Sequence, residues 1–159
     1  MIQKQKAQNI VDPAYAKTLR LAIVRTDYHD EMVGTLEAKA RETLMQAGVE
    51  ESKIITFTAP GSWEIPLVAQ TAIQTSEFDA VLAFGVIIKG ETYHFEMIAN
   101  ECARALMDLS LNNNIPVGFE VLAVYDKKQA IARASNDAFN KGIEAANAVL
   151  KTLALIKEA

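Results

Sequence analysis

The stretch D-A-V-L-A-F-G-V-I-I-K-G-E-T-Y-H-F-E-M-I-A-N at residues 79–100 decides the architecture. Its first half, 80–88, is an unbroken apolar run. A strand with one face in water alternates apolar and polar residues. A continuous run marks a strand buried on both faces, as in a parallel sheet covered by helices. Lys89 and Gly90 end the run, and Gly90 permits backbone angles and a close ligand approach that other residues do not. Glu91 and Thr92 are then expected to open a helix carrying His94 in its first turn. Helix starts expose free N–H groups that attract anions, phosphate included, and ligands of open α/β sheets bind at the carboxyl ends of strands. His94 therefore has two readings, a proton-transfer group beside an anion cradle or a plain helix-terminus residue. The residues alone leave both open.

Outward from this stretch the pattern repeats. A first strand is expected over 19–24, then a polar loop, R-T-D-Y-H-D at 25–30, and a helix capped by Asp30 and ended by Gly48. A second strand over 53–58 leads into A-P-G-S-W-E-I-P at 59–66, where Ser62 is the expected cap of the next helix. Pro66 fits because it falls in that helix's first turn. After the long third helix, ended by Asn112 to Asn114, come a strand over 115–124, a short helix over 127–134 and a last helix over 138–157. The order β-α-β-α-β-α-β-α-α implies a three-layer α/β/α sandwich on a four-stranded parallel sheet, flavodoxin-like. Residues 1–17 are polar and read as an arm that packs on a neighbouring subunit, with 18–159 as the single domain.

Three strand exits on one sheet edge bring chemistry together: Tyr28 with His29, then Ser62, Trp63 and Glu64, then Gly90, Glu91, Thr92 and His94. Aromatic rings, a carboxylate, an imidazole and a helix start suit a planar polar heterocycle and a phosphate. Each aromatic taken singly is equally an ordinary residue between surface and core. Composition narrows the classes further. Half of the 159 residues are apolar and 23% are charged, as in a globular domain. A net charge of −4 argues against nucleic acid, and no run is long enough to cross a membrane. One cysteine and two histidines make a structural zinc site unexpected. With no disulfide possible within the chain and no signal-peptide pattern, cytoplasm is the simplest compartment.

Four motifs in register resemble the lumazine synthase family. P-G-S-W-E-I-P at 60–66 is similar to its P-G-(A/S)-aromatic-E-(I/L)-P, and G-V-I-I-K-G-E-T-Y-H-F-E at 85–96 to its G-x-V-I-(R/K)-G-x-T-x-H-(F/Y)-(D/E). I-P-V-G-F-E-V-L at 115–122 resembles V-P-V-x-(F/L)-G-V-L, and Q-A-I-A-R-A at 129–134 with N-K-G-I-E-A-A at 140–146 resembles E-Q-A-x-x-R-A…N-K-G-x-E-A-A. The resemblance implies condensation of a ribitylamino-pyrimidinedione with 3,4-dihydroxy-2-butanone 4-phosphate, the penultimate step of riboflavin synthesis, without metal or organic cofactor. It implies His94 as proton donor and Tyr28 as the ring that stacks on the pyrimidine. Ser62, Trp63 and Glu64 would hold the ribityl chain, and the backbone of Val86, Ile87 and Ile88 the pyrimidine. Glu91 and Thr92 would receive the phosphate, with Phe119 and Arg133 supplied by a neighbouring subunit. The implied assembly is a pentamer. A hollow shell of twelve pentamers stays open because no insertion appears around 139–142, and riboflavin synthase is a further candidate partner. The chain also departs from the pattern. Asp27-Tyr28-His29 stands for R-F-N, Leu122-Ala123-Val124-Tyr125-Asp126 for L-T-T-(D/E)-(T/N), and Asp137 for a Lys near the phosphate. An anion there is expected to weaken phosphate binding. The alternative to an enzyme is an assembly of the same fold that binds lumazine or flavin with little turnover.

Overall fold

The computed structural model of the chain describes residues 10–159. Four strands, β1 (Leu21–Thr26), β2 (Ile54–Ala59), β3 (Ala80–Ile88) and β4 (Val117–Val124), form one sheet in the order β2-β1-β3-β4. All three pairings are parallel, with Leu21 opposite Ile54 and Ala80, and Val81 opposite Val117. This is the start of the flavodoxin-like order. The chain winds outward from β1 to β2 and returns to β3, so the connections diverge above the carboxyl ends of β1 and β3. That crevice is where such sheets bind ligands.

The helices are α1 (Pro13–Ala16), α2 (Asp30–Gln46), α3 (Ile65–Gln74), α4 (His94–Asn113), α5 (Lys127–Arg133) and α6 (Lys141–Glu158). Strand alternation divides the core into two layers. Leu21, Ile23, Leu82, Phe84, Leu122 and Val124 pack with α2, α5 and α6. Ala22, Val24, Val81, Ala83 and Val121 pack with α3 and α4. β3 is buried from Ala80 through Val86, which accounts for its unbroken apolar run.

The expected element order holds, and the differences lie at helix starts. Asp30 is not the cap of α2. His29 takes that place in a left-handed conformation, φ 57°, while the Asp30 carboxylate turns to Arg25. Ser62 does not cap α3; it opens a short 3-10 turn, Ser62–Glu64, with Gly61 before it. Glu91 and Thr92 do not open α4, because Tyr93 is its cap and His94 its first residue. α6 begins at Lys141 rather than 138. The Asp137 carboxylate accepts from the Phe139 N–H at 2.9 Å, and Asn140 then caps by accepting from the Gly142 N–H at 2.8 Å. Helix ends follow the expected residues: Gly48 at φ 111° after α2 and Asn114 at φ 51° after α4.

Of the expected arm, residues 1–9 lie outside the described residues. Within 10–17, Val11 and Ala16 are buried in this chain's own core, and Lys157 Nζ lies 3.9 Å above the Tyr15 ring. No helix among the described residues is long and apolar enough to cross a membrane.

Candidate active site

The three exits expected to converge do so. A cavity of about 930 Å³ lies above β1, β2 and β3, lined by Tyr28 and His29, by residues 60–64, and by Val86 to Ile88, Gly90, Thr92 and His94. Tyr28 is 66% exposed and Trp63 57%. Two large rings left in water at a cavity mouth offer stacking faces that the fold itself does not use. The Tyr28 and His29 rings meet edge to face, 4.5 Å between centroids. Gly85 makes room at the floor. A Cβ there would lie 2.8 Å from Ser62 Oγ, so only glycine lets the Ser62 turn seat against β3.

The first loop is held from beneath. Arg25 ion-pairs with Asp30 and with Glu37, the latter at 3.1 Å, and its Nε donates to the Thr26 carbonyl at 3.1 Å. The Thr26 hydroxyl donates to the Tyr28 carbonyl, also at 3.1 Å. Across the cavity, Lys89 ion-pairs with Glu96 at 3.0 Å and lies 5.6 Å above the Tyr125 ring. Lys89 therefore ties the end of β3 to the first turn of α4, and its hydrogen bond holds the Glu96 carboxyl below the usual range. The connection between these two points is the bend that presents Thr92 and His94.

Of the residues singled out from the sequence, Tyr28, Ser62, Trp63, Glu64, Val86, Ile87, Ile88, Thr92 and His94 line the cavity. Glu91 is exposed and does not line it. Phe119 and Arg133 lie elsewhere. Phe119 faces a separate cavity of about 290 Å³ along β4, and Arg133 ends α5 with Nη1 donating to the Gln129 carbonyl at 3.0 Å. The sequence reading missed Phe95, Met97 and Ile98, which form an apolar wall on α4. Their signal was helical spacing: 94, 97 and 98 share one face. Among the described residues no cluster of histidine, cysteine and carboxylates is arranged to hold a metal.

A family model described as 6,7-dimethyl-8-ribityllumazine synthase matches residues 18–157. The chain belongs to the 6,7-dimethyl-8-ribityllumazine synthase family. Relatives carrying that name agree. One in Nitratidesulfovibrio vulgaris strain Miyazaki F is 37% identical over 143 residues, covering 90% of this chain and 92% of the relative. Those of strains DP4 and Hildenborough are 36% identical over the same shares. The span that matches the 6,7-dimethyl-8-ribityllumazine synthase family takes in the whole sheet, every residue lining the cavity, and Phe119 and Arg133.

Proposed function

We propose that the chain condenses 5-amino-6-(D-ribitylamino)uracil with 3,4-dihydroxy-2-butanone 4-phosphate to 6,7-dimethyl-8-ribityllumazine, releasing phosphate and water. The observation that carries this reading is the single cavity that gathers Tyr28, Trp63, Glu64 and His94 from three strand exits. The uracil ring stacks at the exposed aromatic mouth and bonds to the backbone of Val86 to Ile88. Ser62, Trp63 and Glu64 take the ribityl chain. The phosphate of the second substrate lies at the bend before α4, by Glu91 and Thr92, where the first N–H groups of α4 are free.

The chemistry follows from that placement. The primary amine of the uracil attacks the ketone, and loss of water leaves an imine. Proton removal beside the imine expels phosphate. The resulting enol tautomerises to a ketone, which the ribitylamino nitrogen attacks, and a second water leaves as the ring closes. His94 moves protons in these steps, and general acid–base help of this kind contributes roughly 10²–10⁴ in rate. Holding two substrates together contributes more.

Phe119 and Arg133 do not reach this chain's own cavity. In this reading they complete the cavity of a neighbouring copy in a pentamer, Arg133 binding phosphate, with the first residues of the chain packing on that neighbour. Twelve such pentamers closing into a shell, docking of riboflavin synthase, and a cytoplasmic setting complete the proposal.

A steady-state assay tests it, following lumazine fluorescence with both substrates. Saturable turnover is expected, with His94→Ala slowed about 10²–10³-fold yet still above the uncatalysed condensation. Tight binding of the uracil without turnover would replace the enzyme with a binding assembly.

A further inference from the structure

The loop that carries Tyr28 and His29 is short, exposed and backed by a polar network that the proposed chemistry does not use. The network begins deep between β2 and α2. The Thr56 hydroxyl and Arg41 Nε both donate to Glu37 Oε1, at 2.5 Å and 3.0 Å. Arg41 also reaches the Ile54 carbonyl at 3.2 Å. Glu37 then passes the connection upward, because its other oxygen accepts from Arg25 Nη1 at 3.1 Å. The Arg25 and Glu37 side chains are only 13% and 14% exposed. Burial alone would raise the Glu37 carboxyl, but the hydrogen bonds from Thr56, Arg41 and Arg25 outweigh it and keep the group ionised.

From this anchored carboxylate the planar fork of Arg25 reaches the loop at two points. Nη2 pairs with the Asp30 carboxylate and Nε donates to the Thr26 carbonyl. These two contacts bracket residues 27–29. Inside the bracket, the Thr26 hydroxyl holds the Tyr28 carbonyl, and His29 is kept in a left-handed conformation rare for a residue with a side chain. Removing either hold frees both rings to swing over other rotamers and backbone angles.

We propose that Arg25 is a positioning residue for the aromatic substrate: braced by Glu37, it fixes the loop through Asp30 and Thr26 so that Tyr28 and His29 meet the ring in a ready-made geometry. The proposal rests on the reading of this cavity as the uracil site. Its energetic content is preorganisation. Order supplied by the network before binding is order the substrate need not impose. The effect therefore falls on the aromatic substrate and spares the phosphate substrate, whose contacts lie beyond β3.

The protein carries its own reporter. Trp63, the one tryptophan of the chain, lines the cavity. Titrating 5-amino-6-(D-ribitylamino)uracil alone against Trp63 fluorescence measures binding without turnover. The informative variants are Asp30→Ala and Arg25→Lys. The Asp30 side chain is 71% exposed, so its removal leaves the core intact even where an Arg25 variant destabilises the chain. Both variants are expected to weaken uracil binding about five- to tenfold, with the KM of the butanone phosphate within about twofold of the parent. The double variant is expected to be no weaker than the worse single one, because both act through one contact. Unchanged uracil affinity in folded Asp30→Ala and Arg25→Lys, with quenching intact in the parent, would overturn the positioning role alone. Absence of quenching in the parent itself would overturn the uracil-site reading, and this inference with it.

Discussion

Glu120 sits in the middle of β4 on the same face as Gly118, Leu122 and Val124, the face covered by α6. Its carboxyl meets Glu144 and Lys141 from the first turn of α6 and Arg133 from the end of α5. Burial raises its pKa to about 7, Glu144 pushes the same way, and Lys141 and Arg133 offset only part of this. Lys141 is engaged elsewhere, at 2.6 Å from Glu144. Since the folded pKa lies above the ordinary carboxylate value, folding favours the protonated form. That stability is complete below the unfolded value near 4.5 and is lost as pH rises through about 7. Glu120→Gln mimics the protonated form, so it is expected to match the parent at pH 4.5 and to be more stable at pH 8. In a dry site such a shift would be worth about 3 kcal/mol, and solvent screening at this half-open position reduces it to about 1–2 kcal/mol. Urea midpoints at both pH values measure the gap, and an equal gap at the two would sink the assignment. Glu37 works in the opposite window, because its lowered pKa removes stability as pH falls. Alternation along the strand already puts residue 120 with 118 and 122. Only the packing of α6 reveals that this face is closed and the carboxyl half-buried.

Between elements, α2 and α6 approach so closely that side-chain volume at one point decides the geometry. A Cβ on Gly142 would lie 2.0 Å from the Leu36 carbonyl oxygen. Gly34 is also helical but has open space, where an added methyl would find its nearest atoms, on Arg25 and Asp30, at 3.8 Å. The two glycines therefore carry opposite predictions. Gly142→Ala forces the helices apart and is expected to cost about 3 kcal/mol. Gly34→Ala removes conformational freedom from the unfolded chain and is expected to stabilise by about 0.5–1 kcal/mol. Denaturant midpoints with unchanged slope decide both, and a neutral Gly142→Ala would mean that the helices slide without penalty. The same elements show what the sequence makes legible. β3 and the helix ends are readable because burial on both faces and left-handed termini each demand particular residues. Helix starts are less so. Asp30, Ser62 and Thr92 are all good caps by side chain, yet the starts fall at Asp30, Ile65 and His94. In each case the residues before the start are shaped into cavity wall, and that tertiary demand overrides local capping preference. For the same reason the three exits could be placed at one edge, while Phe95, Met97 and Ile98, on the face of α4 behind the bend, were not anticipated.

For the whole molecule the question is where a complete site comes from. Tyr28, Trp63 and His94 line one cavity, while Phe119 and Arg133 lie along β4 and α5, outside it. β4 is an edge of the sheet, and exposed strand edges are normally covered. Near the cavity, Met97, Met107 and Leu111 occupy one stripe of α4 and remain 49%, 59% and 72% exposed. An apolar stripe that runs to the cavity wall means that whatever covers it also borders the site. A ring of identical chains satisfies these conditions when the β4 side of one copy meets the α4 side of the next, a head-to-tail contact that closes by rotation. The decisive experiment is complementation. His94→Ala removes the proton-transfer group from its own cavity, and Arg133→Ala removes the phosphate ligand from the neighbour's. Each homogeneous variant is expected to be strongly impaired. Unfolded together in equal amounts and reassembled, they form mixed rings in which about one site in four combines an intact His94 with an intact Arg133. Activity is then expected to rise to about a quarter of the parent value. If both residues served the cavity of their own chain, every site in the mixture would keep one lesion. Activity would then stay at the average of the two variants, whatever the ring size measured by sedimentation.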